Sequence, residues 1–513
     1  MTMAPVNPAG TSSQDTDALD LGALDLARAL REGEVDVREH TEQVLARART
    51  LGPRVGAFAH VLAERSRTQA EHAARQLAGT AHAARDEGRD RPAEQSPLLG
   101  VPMPIKDLAQ IEGEPFEAGS VVMKGHVAEV TDGVAADILD AGTVTIGKTT
   151  TPEFGLPCYT EPATSAPART PWDTRRTAGG SSGGAAAAVA SGIVPIAHGS
   201  DGGGSIRIPA ACCGVVGIKP SRGLVSTGPF GVEGPGLVSE GALARSVRDA
   251  AAGLDVIARI RPGDPFPLAR AEHGYVDACG AEPEGLHIGV LTEPLAIGTD
   301  VHPAALRGVE RATRALADLG HDVVPIPAPF TPDAWETFMP LWTVGAAVQE
   351  LPEQAEATLM PLTRWLRARG REYSGRELSA ALGGMQMLAR RVGEAFDDFD
   401  LILTPSLSGP PALPEDLMLE DPVEDFDAQR AFTPWSSTWN MTGRAAMSVP
   451  LHRETVDGVQ LPFGVHLGAV RAGDESLLLA VAAQLERVDP WPTRITVHDL
   501  CQGHEGPGED SGS

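Results

Sequence analysis

The chain has 513 residues, 42% of them hydrophobic, which is enough to bury a large core and excludes a disordered protein. A formal charge of −27 excludes a surface built for nucleic acid or anionic membrane, since both require clustered cations. Five cysteines show neither metal-ligand spacing nor the even framework of a disulfide-stapled protein, and no apolar run reaches membrane-span length, so a cytoplasmic location is expected.

Residues 1–16 are polar, carry no signal-peptide pattern and read as a disordered tail, as do residues 502–513. Between them, 17–495 is expected to form a single domain. Leu21 to Leu77 has apolar residues at helical spacing among Ala, Arg and Glu, which predicts paired helices. Thr80 to Ser96 is polar and reads as a helix end with an exposed loop. Leu98 to Ile105 reads as a buried strand delivering Lys106. Helix is predicted near Ala135–Leu139 and Gly184–Ala190, and strand over Thr143–Ile146 and Ile193–Ala197. His287–Leu291 reads as strand, Pro303–Leu319 as an amphipathic helix and about 331–399 as long helices. Strand character returns at Leu401–Leu403 and Gly464–Leu467. This alternation implies an α/β fold with a mixed sheet covered by helices on both faces. The catalytic core is expected at about 98–250, and a helical cap at about 280–400.

The chemistry concentrates in the run from Ser200 to Pro209. Gly202, Gly203 and Gly204 precede Ser205, so backbone N–H groups can approach a ligand unshielded by side chains. Donors placed beside a nucleophile in this way can hold the oxyanion of acyl transfer. A second glycine-framed pair, Ser181-Ser182, lies between Gly179-Gly180 and Gly183-Gly184, and Lys106 stands alone after Pro102-Met103-Pro104-Ile105. A serine hydroxyl needs a base, and a lysine can serve.

Two other patterns compete. Gly142 to Thr149 satisfies the P-loop spacing, but the four residues between its glycines are β-branched and suit a strand, and Pro152 interrupts the helix that should follow. Gly-x-Ser-x-Gly around the serine pair matches a nucleophile elbow, but Trp172 to Thr177 is loop-like where a strand is needed, and no downstream histidine sits in a supporting motif.

Taken together, the Lys106 segment, Gly147-Lys148-Thr149 with Pro152-Glu153-Phe154-Gly155, the glycine-framed serines, the Ser205 run and Gly217 to Gly223 resemble the amidase signature family. The likeness continues through Leu243 to Asp249, Thr404-Pro405 and Asn440 to Gly443, covering roughly residues 20–490. Ala197 to Asp201 and Lys219 to Arg222 look most like the bacterial branch that includes 6-aminohexanoate cyclic dimer hydrolase. The resemblance implies a serine hydrolase acting on carboxamides or cyclic amides through an acyl-enzyme. Ser205 would be the nucleophile, Ser181 the bridging serine after a cis peptide, and Lys106 the base, with neither metal nor organic cofactor. Gly202, Gly203 and Gly204 would line the oxyanion hole, and Tyr159, Gly180 and Trp342 are candidate substrate contacts.

Asp107 is expected to point away from Lys106, Lys148 to sit at a surface or strand end, and Arg207 with Asp201 to brace the loop. Ser182 is read either as support for the triad or as a helix cap. His466, where many relatives have glutamine, is expected at a subunit contact or pocket wall. The partner is a small-molecule amide, and a homodimer is compatible. The competing functions are a glutamine-deamidating subunit of an amidotransferase complex and a non-catalytic scaffold with a vestigial site.

Overall fold

Glycine and alanine dominate Gly183–Ala190, and every residue of this helix is buried. Small side chains allow that close packing: a Cβ on Gly184 would come within 2.4 Å of the Thr150 amide nitrogen. The helix rests on two sheets in the computed structural model, which describes residues 18–83, 96–232 and 234–492. The tails expected at 1–16 and 502–513, and most of the polar stretch 80–96, lie outside the described residues.

The small sheet has the order β1-β3-β2, with β1 at Phe58–Val61, β2 at Ile105–Lys106 and β3 at Gly147–Thr149. The large sheet contains β4 (Ile196–Asp201), β5 (Val216–Lys219), β6 (Ser239–Ala244), β7 (His287–Val290), β8 (Asp322–Pro325), β9 (Leu401–Pro405), β10 (Ala446–Val456) and β11 (Val459–Ala469). Its order is β4-β6-β5-β10-β11-β9-β7-β8. Pairing is antiparallel from β4 to β9 and parallel among β9, β7 and β8, so the sheet is mixed. All residues of β4, β5 and β9 are buried, as strands covered on both faces must be.

Three expected strands shift. Pro102 and Pro104 lack N–H groups, so the predicted strand before Lys106 is reduced to an isolated bridge between Pro102 and Val144 followed by the two residues of β2. The strand expected at 143–146 begins instead at Gly147. The one expected at 193–197 begins at Ile196 and runs on to Asp201, because the polar residues of His198-Gly199-Ser200-Asp201 are buried and hydrogen-bonded. His198 N–H donates to the Pro104 carbonyl at 3.0 Å, and Lys106 N–H donates to His198 Nδ1 at 3.3 Å. These bonds dock β2 beside β4.

Of the stretch 280–400, β7, β8 and the helix Pro303–Asp318 join the large sheet. The helices Pro332–Trp335, Phe338–Ala347, Pro361–Glu372 and Gly375–Phe396 build a separate apolar cluster with Trp435 and Trp439. That cluster walls one side of the site.

Candidate active site

Lys106 is fully buried at the end of β2. Its Nζ lies 2.8 Å from Ser181 Oγ, 3.1 Å from Ser200 Oγ and 3.2 Å from the Ser200 carbonyl. Burial pulls its pKa down to about 7, against the opposing pull of Glu240 and Asp201. A neutral amine has two N–H groups and one lone pair. With both N–H groups turned to Ser200, the lone pair is left to accept the Ser181 proton. Asp107 does point elsewhere: its Oδ1 meets Lys148 Nζ at 2.7 Å, and its Oδ2 accepts from Glu117 N–H at 3.2 Å and Ala118 N–H at 3.1 Å. Lys148 is therefore no surface or strand-end residue. It is buried in β3, paired with Asp107 and set over the Phe116 ring at 5.4 Å.

The Gly180–Ser181 peptide is cis. A Cβ on Gly180 would fall 2.6 Å from the Tyr159 carbonyl oxygen, so this glycine serves a close backbone approach. Ser182 stands at the N-cap of the Gly183–Ala190 helix without a side-chain cap bond; its Oγ donates instead to the Ser200 carbonyl at 3.2 Å. Ser182 N–H donates to the Ser205 carbonyl at 3.1 Å, tying the two serine segments together.

Past β4 the chain turns through Gly202-Gly203-Gly204 into Ser205, then enters the helix Arg207–Cys213. The turn is held by Asp201. Its Oδ1 accepts from Gly204 N–H at 2.7 Å, its Oδ2 accepts from Ile206 N–H at 3.2 Å, and both oxygens take Arg207 at 2.9 Å. Burial opposes this charge, yet the Arg207 guanidinium keeps the carboxyl well below its usual range. One expectation is thereby corrected. Gly204 N–H is engaged by Asp201 and cannot also serve an oxyanion, leaving Gly202, Gly203 and Ser205. Gly204 remains indispensable for another reason: its φ is +134°, and a Cβ there would meet Ile208 Cδ1 at 2.5 Å.

Arg207 also donates to the Ser436 carbonyl at 2.8 Å, Asn440 Oδ1 at 2.6 Å and His466 Nε2 at 3.0 Å. Arginine can only donate, so His466 Nε2 is an acceptor and Nδ1 carries the proton, facing Thr404 Oγ1 at 3.4 Å. Burial, with Arg207 beside it, pushes the imidazole well below its ordinary pKa and keeps it neutral. His466 is thus neither a surface contact nor a pocket wall; it is a buried acceptor for the arginine that holds the Ser205 turn. The sequence reading missed Ser200, whose hydroxyl and carbonyl both meet Lys106. Its position in β4 beside Asp201 was the available signal.

A cleft of about 60 Å³ opens at Ser205 and Gly203. Its walls include Cys158, Trp335, Phe338, Trp342 and Phe426, with Gln429, Arg430, Thr433 and Ser437 as polar members. Trp342 lines it; Tyr159 and Gly180, the other two candidate contacts, do not. Tyr159 is turned inward, its hydroxyl donating to Asp425 Oδ2 at 2.8 Å, so it braces the wall from behind. Gln429 completes that brace by accepting from Cys158 N–H at 2.7 Å. Among the described residues no cluster of His, Cys, Asp and Glu has the arrangement of a metal site, and no helix is long and apolar enough to cross a membrane.

The sequence profile of the amidase family matches residues 39–478. The 6-aminohexanoate-cyclic-dimer hydrolase of Paenarthrobacter ureafaciens is 33% identical over 493 residues, which are 91% of this chain and 94% of that protein. The solved structure of 6-aminohexanoate cyclic dimer hydrolase complexed with substrate superposes with a TM-score of 0.82 at 30% identity, over 94% of this chain and 100% of that one. A bacterial aryl acylamidase of the amidase signature family gives a TM-score of 0.80 at 26% identity, over 95% of this chain and 99% of that one. With a family match across most of its length and relatives that share its whole fold, this chain belongs to the amidase family and is an amide-hydrolysing enzyme.

Proposed function

We propose that this enzyme cleaves a carboxamide or cyclic amide through an acyl-enzyme on Ser205, with Ser181 relaying the proton to Lys106. The observation that carries this reading is the 2.8 Å contact between Ser181 Oγ and a buried amine whose pKa is lowered to about 7. Ser205 Oγ attacks the carbonyl carbon as its proton passes to Ser181 and that of Ser181 passes to Lys106. The N–H groups of Gly202, Gly203 and Ser205 hold the resulting oxyanion. Collapse breaks the C–N bond, and the relay runs backwards to protonate the leaving nitrogen. Water then attacks the ester by the same route, releasing the acid and free Ser205.

The substrate is taken to be a small molecule met in the cytoplasm. The free, buried cysteines Cys158, Cys212, Cys213 and Cys279 support a reducing compartment, and the net charge of −27 argues against a nucleic-acid partner.

Intact-mass analysis after treatment with a fluorophosphonate tests this mechanism. Wild type should gain one label, Ser205→Ala none, and Lys106→Ala should label roughly 10²- to 10⁴-fold more slowly, the usual loss of a general base. Labelling that survives Ser205→Ala would move the nucleophile to the Ser181-Ser182 elbow. An unlabelled wild type would favour a partner-dependent amidotransferase subunit or a vestigial site.

A further inference from the structure

Strand β2 is only two residues long, and one residue of β4 stands in for the ladder it lacks. His198 N–H donates to the Pro104 carbonyl at 3.0 Å, and His198 Nδ1 accepts from Lys106 N–H at 3.3 Å. The chain is thus gripped on both sides of Ile105. Because Nδ1 accepts, it carries no proton, and the ring hydrogen lies on Nε2. That hydrogen is donated to Glu240 Oε2 at 2.9 Å. A doubly protonated ring would set two N–H groups against each other at Lys106, so the imidazole is neutral and gives the Glu240 carboxylate no counter-charge.

The register of β4 and β6 shows where that carboxylate lies. Ser200 pairs with Glu240, and His198 with Ala242. Side chains two apart along a strand share a face of the sheet with those directly opposite on the neighbouring strand. His198, Ser200 and Glu240 therefore stand on one face, which meets the Lys106 amine through Ser200 Oγ at 3.1 Å. Asp201 is turned to the other face, where Arg207 holds it at 2.9 Å.

The remaining acids near Lys106 have partners. Asp107 is paired with Lys148, and Asp132 accepts from Gln110 N–H at 2.7 Å. Among the described residues the Glu240 carboxylate has no arginine or lysine partner; its one hydrogen bond is to the neutral His198. Its charge is left to favour the ammonium form of Lys106 against the effect of burial. A buried amine without such a charge would be neutral over a wider range of pH, but it would be a weaker base towards Ser181.

We propose that His198 and Glu240 are positioning residues for the base: the imidazole fixes the Lys106 backbone against β4, and the carboxylate behind it sets the pH at which the amine is free to take a proton. This rests on the mechanism proposed above, in which Lys106 is that base. Neither residue lines the cleft at Ser205.

The rate at which a fluorophosphonate labels Ser205, followed by intact mass from pH 5 to 9, reads the base without a known substrate. Wild type should show an acid limb that levels off near pH 8. Glu240→Gln keeps an acceptor for His198 Nε2 and loses the charge, so its limb should move down by about one pH unit. At pH 6 this variant should label several-fold faster than wild type. Glu240→Ala should share the shift, and Glu240→Asp, which keeps the charge, should lack it. A limb present in wild type but unmoved in both charge-free variants, or moved upward, overturns the role given to Glu240 and leaves the mechanism standing.

The imidazole is tested at pH 9, where the amine is neutral. His198→Leu removes the acceptor and should label about 10- to 100-fold more slowly. His198→Asn offers Oδ1 near the place of Nδ1 and should recover most of that loss. Equal loss in the two variants overturns the positioning role of the ring. Uptake of one full label at long times shows that each variant is folded. A wild-type profile without an acid limb has a different meaning: Lys106 is then not the base, and the mechanism fails together with this proposal.

Discussion

Lys106 has oxygen partners on three sides and no contact with a carboxylate, and this determines how the rate must depend on pH. The amine accepts a proton only when neutral, and its pKa is lowered to about 7. Below that value the amine is protonated and, with Lys106 as the proposed base, kcat/KM should fall about tenfold per pH unit, reaching its plateau near pH 8. A kcat/KM profile measured from pH 5 to 9 checks this, and a flat profile would speak against Lys106 as the base. At this scale much of the candidate site was legible. The glycine-framed serines and the lysine set after two prolines can be read directly in the sequence. What the sequence concealed is which N–H group is free. The competition between Asp201 and an oxyanion for Gly204 depends on how Arg207 orients that carboxylate, and Arg207 is placed by Ser436, Asn440 and His466, more than two hundred residues away. The inward turn of Tyr159 was hidden for the same reason, since its partner Asp425 lies on a distant helix.

Strands β2 and β3 are very short, and a buried ion pair fastens them. Lys148 Nζ meets Asp107 Oδ1 at 2.7 Å, with both side chains inaccessible to solvent. Replacing the lysine alone leaves a buried carboxylate supported only by the N–H groups of Glu117 and Ala118. We expect Lys148→Met to lower stability by about 3–5 kcal/mol, the usual result of stranding one partner of a buried pair. Asp107→Asn added to it should recover part of the loss. Urea denaturation of the single and double variants measures both, and a loss under about 1 kcal/mol for the single variant would deny the pair its structural role. Elements of this kind escape sequence reading because two or three residues carry no periodicity. Long amphipathic stretches such as Pro303–Asp318 were readable at once. The β10–β11 hairpin falls between these cases. Asp457 and Gly458, with φ of +51° and +81°, form its two-residue turn, and Asp-Gly between apolar runs is a strong local signal. Strand was nevertheless expected only from Gly464, although apolar residues alternate without a break from Val459 to Leu467.

Across the whole molecule, buried ionisable groups set a window of stability. Burial draws both Lys106 and Lys219 down to about 7, from an ordinary value of 10.5. Between those values the unfolded chain binds protons that the native protein does not, so stability rises with pH at up to about 1.4 kcal/mol per unit for each lysine. The buried thiols act in the opposite sense. Burial raises Cys158, Cys212, Cys213 and Cys279 above their ordinary value of 9.0. Above that pH the unfolded chain releases protons the native state retains, and stability falls. The urea midpoint should therefore climb from pH 7 to a maximum near 9 and decline beyond it. Lys219→Met should flatten the climbing limb, since among the described residues its Nζ donates only to the Pro220 carbonyl. A midpoint that declines steadily from pH 7 would refute this balance.

Ser200 and Asp201 are neighbours in β4, one gripping the amine of Lys106 and the other the turn that carries Ser205. Both ends of the proposed proton path are thus registered to a single common datum, a pair of residues joined by one peptide bond. Ser436, Asn440 and His466, which hold Arg207, set the other side of the Asp201 carboxylate.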